Sequence, residues 1–161
     1  MNFTCDKAKL LAAVTTLSRF THEDDQSPGL DRLLLRAVDG RLIIAGGDGD
    51  TSAVTELHAT IEHDGEGELA VPAESLLRTL EGVERARVEV AAKSKGRGSH
   101  KTWTVKIAGG GAAFEFTFHD VEQPMLFPEE QLCAPDVDVT ALRPIDSGFK
   151  GVLAATVYCT S

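Results

Sequence analysis

Leu33–Val54 reads LLLRAVDGRLIIAGGDGDTSAV, and its punctuation decides the fold. An apolar run, Leu33 to Leu35, meets Asp39-Gly40; a second run, Leu42 to Ala45, meets Gly46-Gly47 and a third strand-like segment. Two apolar segments joined by Asp-Gly form a β-hairpin, because both turn residues accept positive φ and the turn's twist matches that of the strands. Some sixty residues on, Trp103–Phe116 reads WTVKIAGGGAAFEF and repeats the Ile-Ala-Gly-Gly core. Repetition of this kind predicts a duplicated structural unit.

Working outward, Asn2–Cys5 is a short strand and Asp6 stands where a helix cap belongs. Leu10, Leu11, Val14, Leu17 and Phe20 then recur at helical spacing, predicting an amphipathic helix over Asp6–Arg19 with Lys7, Lys9, Thr16 and Arg19 on its polar side. Thr21–Gly29 is polar, acidic and broken by Pro28-Gly29, an exposed loop. Thr51–Glu62 alternates as a strand, His63–Glu68 turns, and Leu69–Val71 is a short strand. Pro72 falls near the first turn of a helix over Ala73–Leu80, with Leu76, Leu77 and Leu80 on its buried side and Gly82 at its end. Arg87–Ala92 is a strand leading into a basic loop, Lys93–Lys101. Trp103–Ala108 and Ala113–Phe118 pair around Gly109–Gly111, and these glycines, like Gly46 and Gly47, mark bulges or tight bends.

The order is βαβββ twice, over residues 1–62 and 67–118. Two such units related by a pseudo-twofold predict an α+β fold, an antiparallel sheet with two helices on one face. Beyond Phe118, His119–Asp136 carries three prolines and no sustained period, the composition of a linker. Val137–Thr140 then resembles Asn2–Thr4, and Leu142–Thr156 has helical spacing through Phe149, Val152 and Leu153. The expected division is one domain over residues 1–129, followed by a linker and the truncated start of a second over 130–161, in a piece of a longer polypeptide.

Bulk properties exclude several classes. No apolar run approaches the ~20 residues of a membrane span, and Met1–Lys9 lacks the build of a secretory signal, which points to the cytoplasm. Cys5, Cys133 and Cys159 form no Cys-x-x-Cys pair, so reduced structural thiols are expected rather than a disulfide framework or a zinc site. Asp48 and Asp50 have the spacing of calcium ligands, yet Ala59 stands where the twelfth-position Glu is needed. The glycine clusters lack the Gly-Lys-Ser/Thr of a phosphate cradle, the five histidines lack ligand spacing, and no Ser-His-Asp set is present. No catalytic residue, metal or cofactor is therefore predicted. A net charge of -9 argues against a wholly basic nucleic-acid binder but leaves open one basic face.

The sequence resembles the N-terminal domain of the bacterial DNA polymerase III beta subunit family, the sliding clamps. The resemblance rests on the opening MNFT and its helix, on Ser27-Pro28-Gly29-Leu30 running into Leu33–Leu35 and Asp39-Gly40, on Ala70–Leu77 (AVPAESLL), and on Phe127-Pro128. It implies a ring of six such domains from two identical three-domain chains, helices lining a central hole that encircles duplex DNA without reading its sequence. It also implies a processivity role tethering the replicative polymerase, loading by a clamp loader, a homodimer and no enzymatic activity. Phosphate contacts suffice for such sliding.

The resemblance directs attention to Lys7, Lys9 and Arg19 on the first helix, Arg78 on the second, and Lys93, Lys95, Arg97 and Lys101 in the basic loop as DNA-facing candidates, each weighed against an ordinary solvated face or hairpin tip. It implies that the last strand forms the subunit edge, with Phe114 and Phe116 supporting it; alternation places Phe114, Phe116 and Phe118 on one face, where core packing competes. Three departures stand out: His22–Asp25 and Glu74-Ser75 replace basic family positions, and Gly47–Asp50 replaces a Thr-Asp-Leu-Glu. The first two favour, as the alternative, a clamp-derived interaction or regulatory module that keeps the fold but has lost DNA contact.

Overall fold

The computed structural model describes residues 1–21, 29–47, 51–62, 64–96 and 101–120, with the backbone of 158–159. Its elements are β1 (Asn2–Asp6), α1 (Lys7–Leu17), β2 (Arg32–Val38), β3 (Arg41–Gly47), β4 (Thr51–Ile61), β5 (Gly67–Pro72), α2 (Ala73–Glu81), β6 (Arg87–Lys95), β7 (Thr102–Gly109), β8 (Ala112–His119) and β9 (Tyr158–Cys159). The order is thus βαβββ twice. The third-copy helix expected over Leu142–Thr156 and most of residues 130–161 lie outside the described residues.

The strands form one antiparallel sheet in the order β5-β2-β3-β4-β1-β6-β7-β8, with β9 beside the start of β4. Each unit gives its first strand to the other. β1 pairs with β6, from Asn2 opposite Ala91 to Asp6 opposite Arg87, and β5 pairs with β2, from Gly67 opposite Ala37 to Pro72 opposite Arg32. Strand β4 bridges the halves, its Ser52–His58 stretch pairing with β3 and its Ala59–Ile61 end with β1. The pseudo-twofold counterpart of that last contact, β5 with β8, is absent among the described residues, so the nearly closed sheet keeps a seam there.

Alternation sorts the side chains. Phe3, Cys5, Leu33, Leu35, Leu42, Ile44, Leu57, Leu69, Val71, Val88, Val90, Val105 and Ile107 point to one face and meet Leu10, Ala13, Val14 and Leu17 of α1 and Ala73, Leu76 and Leu80 of α2 in a single buried cluster. Both helices therefore cover the same face, as the duplicated pattern predicts. Leu34, Ile43, Ala45 and Ala70 form a second, small buried cluster on the other face. Burial on both faces explains why β2 and β3 read as continuous apolar runs rather than alternating ones.

Local chemistry fixes the ends. The Asp6 carboxylate accepts the Lys9 N–H at 3.0 Å, capping α1. Helix α1 ends two residues earlier than its apolar spacing suggests, passing into a 3-10 turn over Ser18–Phe20. Asp39 and Gly40 both have positive φ, 49° and 74°, in the two-residue hairpin between Val38 and Arg41. Gly110 and Gly111 do the same between β7 and β8.

Gly46 is otherwise. Of the expected bulge or tight bend, no bulge falls here, since Gly46 and Gly47 continue the register opposite Ala53 and Ser52; the bend after them lies outside the described residues. A Cβ on Gly46 would stand 2.8 Å from the Leu17 carbonyl oxygen and 2.9 Å from Leu33 Cδ2. Glycine is there to admit the end of α1 against the sheet.

Candidate nucleic-acid interface

The helix-bearing face gathers some of the candidate cations and not others. Lys7 opens α1, partly exposed, its backbone N–H bonded to the Ala86 carbonyl at 2.8 Å. Lys9 is exposed one turn in, and Arg19 is exposed in the 3-10 turn. Between them lie exposed Ala8, Ala12 and Thr15, and the Thr15 and Thr16 hydroxyls donate back to the Leu11 and Ala12 carbonyls at 2.7 and 2.8 Å. Arg78 is exposed on α2 and paired with Glu74, four residues earlier on the same helical stripe.

The basic loop is shorter than its composition suggests. Strand β6 runs three residues past Ala92, so Lys93 and Lys95 sit on a strand rather than in a loop. Their alternation with inward-facing Val88, Val90 and Ala92 places them on the face opposite the helices. Lys101 is partly buried: its Nζ lies 3.4 Å from an Asp120 carboxylate oxygen and 4.3 Å from the centre of the Trp103 ring. Register brings these together, for Thr102 pairs with His119 and the Asp120 N–H donates to the Lys101 carbonyl at 2.8 Å. Arg97 and the acidic loop His22–Asp25 lie outside the described residues. The eight candidates thus do not form one surface; Lys7, Lys9, Arg19 and Arg78 share a face, and Lys93 and Lys95 leave it.

Strand β8 forms one end of the sheet path, its outer edge unpaired among the described residues. Phe114, Phe116 and Phe118 stand opposite Ile107, Val105 and Trp103 on the core-facing side. Phe116 and Phe118 stack at 6.0 Å and pack on the core, whereas Phe114 is 39% exposed, its ring against the end of α2 at Gly82. The pair expected to act alike is therefore divided between core and surface.

Sequence reasoning missed Arg32. Its side chain is 12% exposed, its guanidinium sits 5.2 Å above the Phe118 ring, and Nε lies 3.7 Å from an Asp31 oxygen. Nε and Nη1 are buried without a hydrogen bond. Burial lowers its pKa, with Asp31 and Asp120 opposing the shift. Nothing local in the sequence betrays this residue, because the Phe118 that covers it arrives from the far end of the domain. Burial likewise pushes the Cys5 thiol up to about 12, with Asp6 adding to the shift and Arg87 opposing it.

Among the described residues no three His, Cys, Asp or Glu side chains converge as metal ligands, and no helix is long and apolar enough to cross a membrane.

Comparison with solved structures matches this arrangement to bacterial clamps. The beta subunit from the DNA polymerase of Streptococcus pyogenes superposes with a TM-score of 0.62 at 17% identity, over 79% of this chain and 33% of that one. The Caulobacter crescentus beta sliding clamp gives 0.62 at 23% identity, over 79% and 32%. The Helicobacter pylori beta clamp bound to a DNA ligase peptide gives 0.58 at 16%, over 86% and 34%. The chain spans about a third of the length of these clamps. At such identities the likeness speaks for the fold. No curated protein sequence matches. The model of the DNA polymerase III beta subunit, N-terminal domain, matches residues 1–105, most of the duplicated unit described above, and the chain belongs to that family.

Proposed function

We propose that this domain is the first of a DNA-encircling processivity clamp, whose helix-bearing face turns toward the duplex and whose full-length product tethers a replicative polymerase after loading by a clamp loader. The observation that carries the reading is the coincidence, on one face, of both helices with Lys7, Lys9 and Arg19, in a member of the beta-subunit family. Diffuse positive charge on smooth helices is what sliding requires, since phosphate contacts hold a duplex without fixing its register to any sequence. The role is structural: the domain supplies a surface rather than chemistry. Residues 1–129 form the domain and 130–161 lead into the next. The edge of β8 left unpaired among the described residues, flanked by Phe114 and backed by Phe116, is where a second identical chain pairs to close the ring.

A retention experiment tests this. The full-length gene product, loaded onto nicked circular DNA, is expected to stay bound at moderate salt and to leave when the circle is cut. A folded protein that is never retained would overturn the reading in favour of an interaction module.

A further inference from the structure

The two helices on the proposed DNA face are not electrically alike. From Lys7 to Phe20, α1 and its 3-10 turn carry Lys7, Lys9 and Arg19 and no acid, a balance of +3. Across Ala73–Glu81, α2 carries Glu74, Arg78 and Glu81, a balance of -1. Exposed Arg78 is four residues from Glu74 and three from Glu81, so both carboxylates flank it on one stripe. The guanidinium is engaged by Glu74, and both side chains are 79% exposed. Any phosphate approaching Arg78 must displace one carboxylate and tolerate another. Among the described residues the acid next to α1 in sequence is the cap Asp6, whose carboxylate accepts the Lys9 backbone N–H; the acidic His22–Asp25 lies outside the described residues.

Resting on the clamp reading above, we infer that the duplex is held by α1 and held off by α2, with Glu74 and Glu81 setting the difference. Lys93 and Lys95 do not offset it, because they stand on the other face of the sheet. The span from Lys9 to Arg19 is about 15 Å at a helical rise of ~1.5 Å per residue, so cations grip at the two ends of α1 while small side chains lie between. Such a face permits contact without interlocking.

The test is a titration of the isotopically labelled 161-residue chain with a short duplex at low salt, following backbone amide shifts; non-specific affinities of about 10⁻⁴–10⁻⁶ M suit that method. The expected shifts cluster over Lys7–Phe20 and spare Ala73–Glu81. In the double variant Glu74→Gln, Glu81→Gln, amides of α2 are expected to join them, and the slope of log K against log salt to steepen by about 0.9, one added phosphate contact. Equal shifts on both helices in the unaltered chain would overturn the inference, as would a double variant with unchanged pattern and slope. A folded chain that shows no shift on either helix would overturn this inference alone, because the ring reading is decided separately by retention of the full-length product on circular DNA.

Discussion

Cys5 sits in the core at 3% exposure, on the strand that the second unit borrows. Its thiol is held well above the ordinary 9.0, at about 12, chiefly because burial penalises the thiolate. The folded state therefore keeps a proton that the unfolded chain releases. Stability from this source is fully present below pH 9 and is lost as pH rises toward 12, at about 1.4 kcal/mol per unit within that window. Denaturation at several pH values is expected to show the decline above pH 9, and Cys5→Ala to flatten it. The native thiol should also ignore alkylating reagents at pH 8 and react once denatured, because the thiolate is the nucleophile. A lone cysteine in an alternating strand was legible as a structural thiol. Arg32 was not legible at all, since its burial is created by Phe118, 86 positions away in the chain.

At the scale of elements, hairpins were read most faithfully from sequence. Asp39-Gly40 and Gly110-Gly111 each supply two positive-φ positions between apolar runs, a signal complete within a few residues. Gly46 was misread for the opposite reason: its glycine answers to α1, not to its own strand. The close approach of the Leu17 carbonyl leaves no volume for a methyl group. Gly46→Ala is expected to cost about 1–3 kcal/mol, the usual penalty for overpacking, read as a lower urea midpoint at unchanged m. The same distinction explains the basic loop. Lysines at alternate positions look like a solvated tip, yet period-two exposure is also how a strand edge presents to water, and Lys93 and Lys95 belong to β6. Glu74 and Arg78 were each singled out in the sequence, but their pairing and its consequence for the face became visible only in the structure, with both helices side by side.

At the scale of the molecule, the edge of β8, unpaired among the described residues, is where the proposed ring would take its subunit contact. Phe114 is exposed and Phe116 packs on the core, so their substitutions should separate two effects. Phe114→Ala is expected to leave the domain's stability within about 0.5 kcal/mol of the parent, as exposed positions usually do, while weakening dimerisation of the full-length protein in sedimentation. Phe116→Ala should destabilise the fold first. A Phe114→Ala protein that dimerises as tightly as the parent would remove that residue from the interface. The duplicated order was readable because each unit repeats its turn chemistry, whereas the proposed subunit edge and the proposed contrast between helices depend on which strand stands last and which side chains share a face.

The exchange of first strands decides whether either half can stand alone. Because β1 completes the sheet of the second unit and β5 that of the first, neither unit is a whole object by itself. The two units clasp each other by mutual donation of a strand and are joined by the short turn between Ile61 and Gly67. That turn is itself tied to the sheet, the Asn2 N–H donating to the Gly65 carbonyl at 2.8 Å and the Asp39 N–H to a Glu66 carboxylate oxygen at 3.2 Å. Separated there, each half would leave the other's sheet short of a strand.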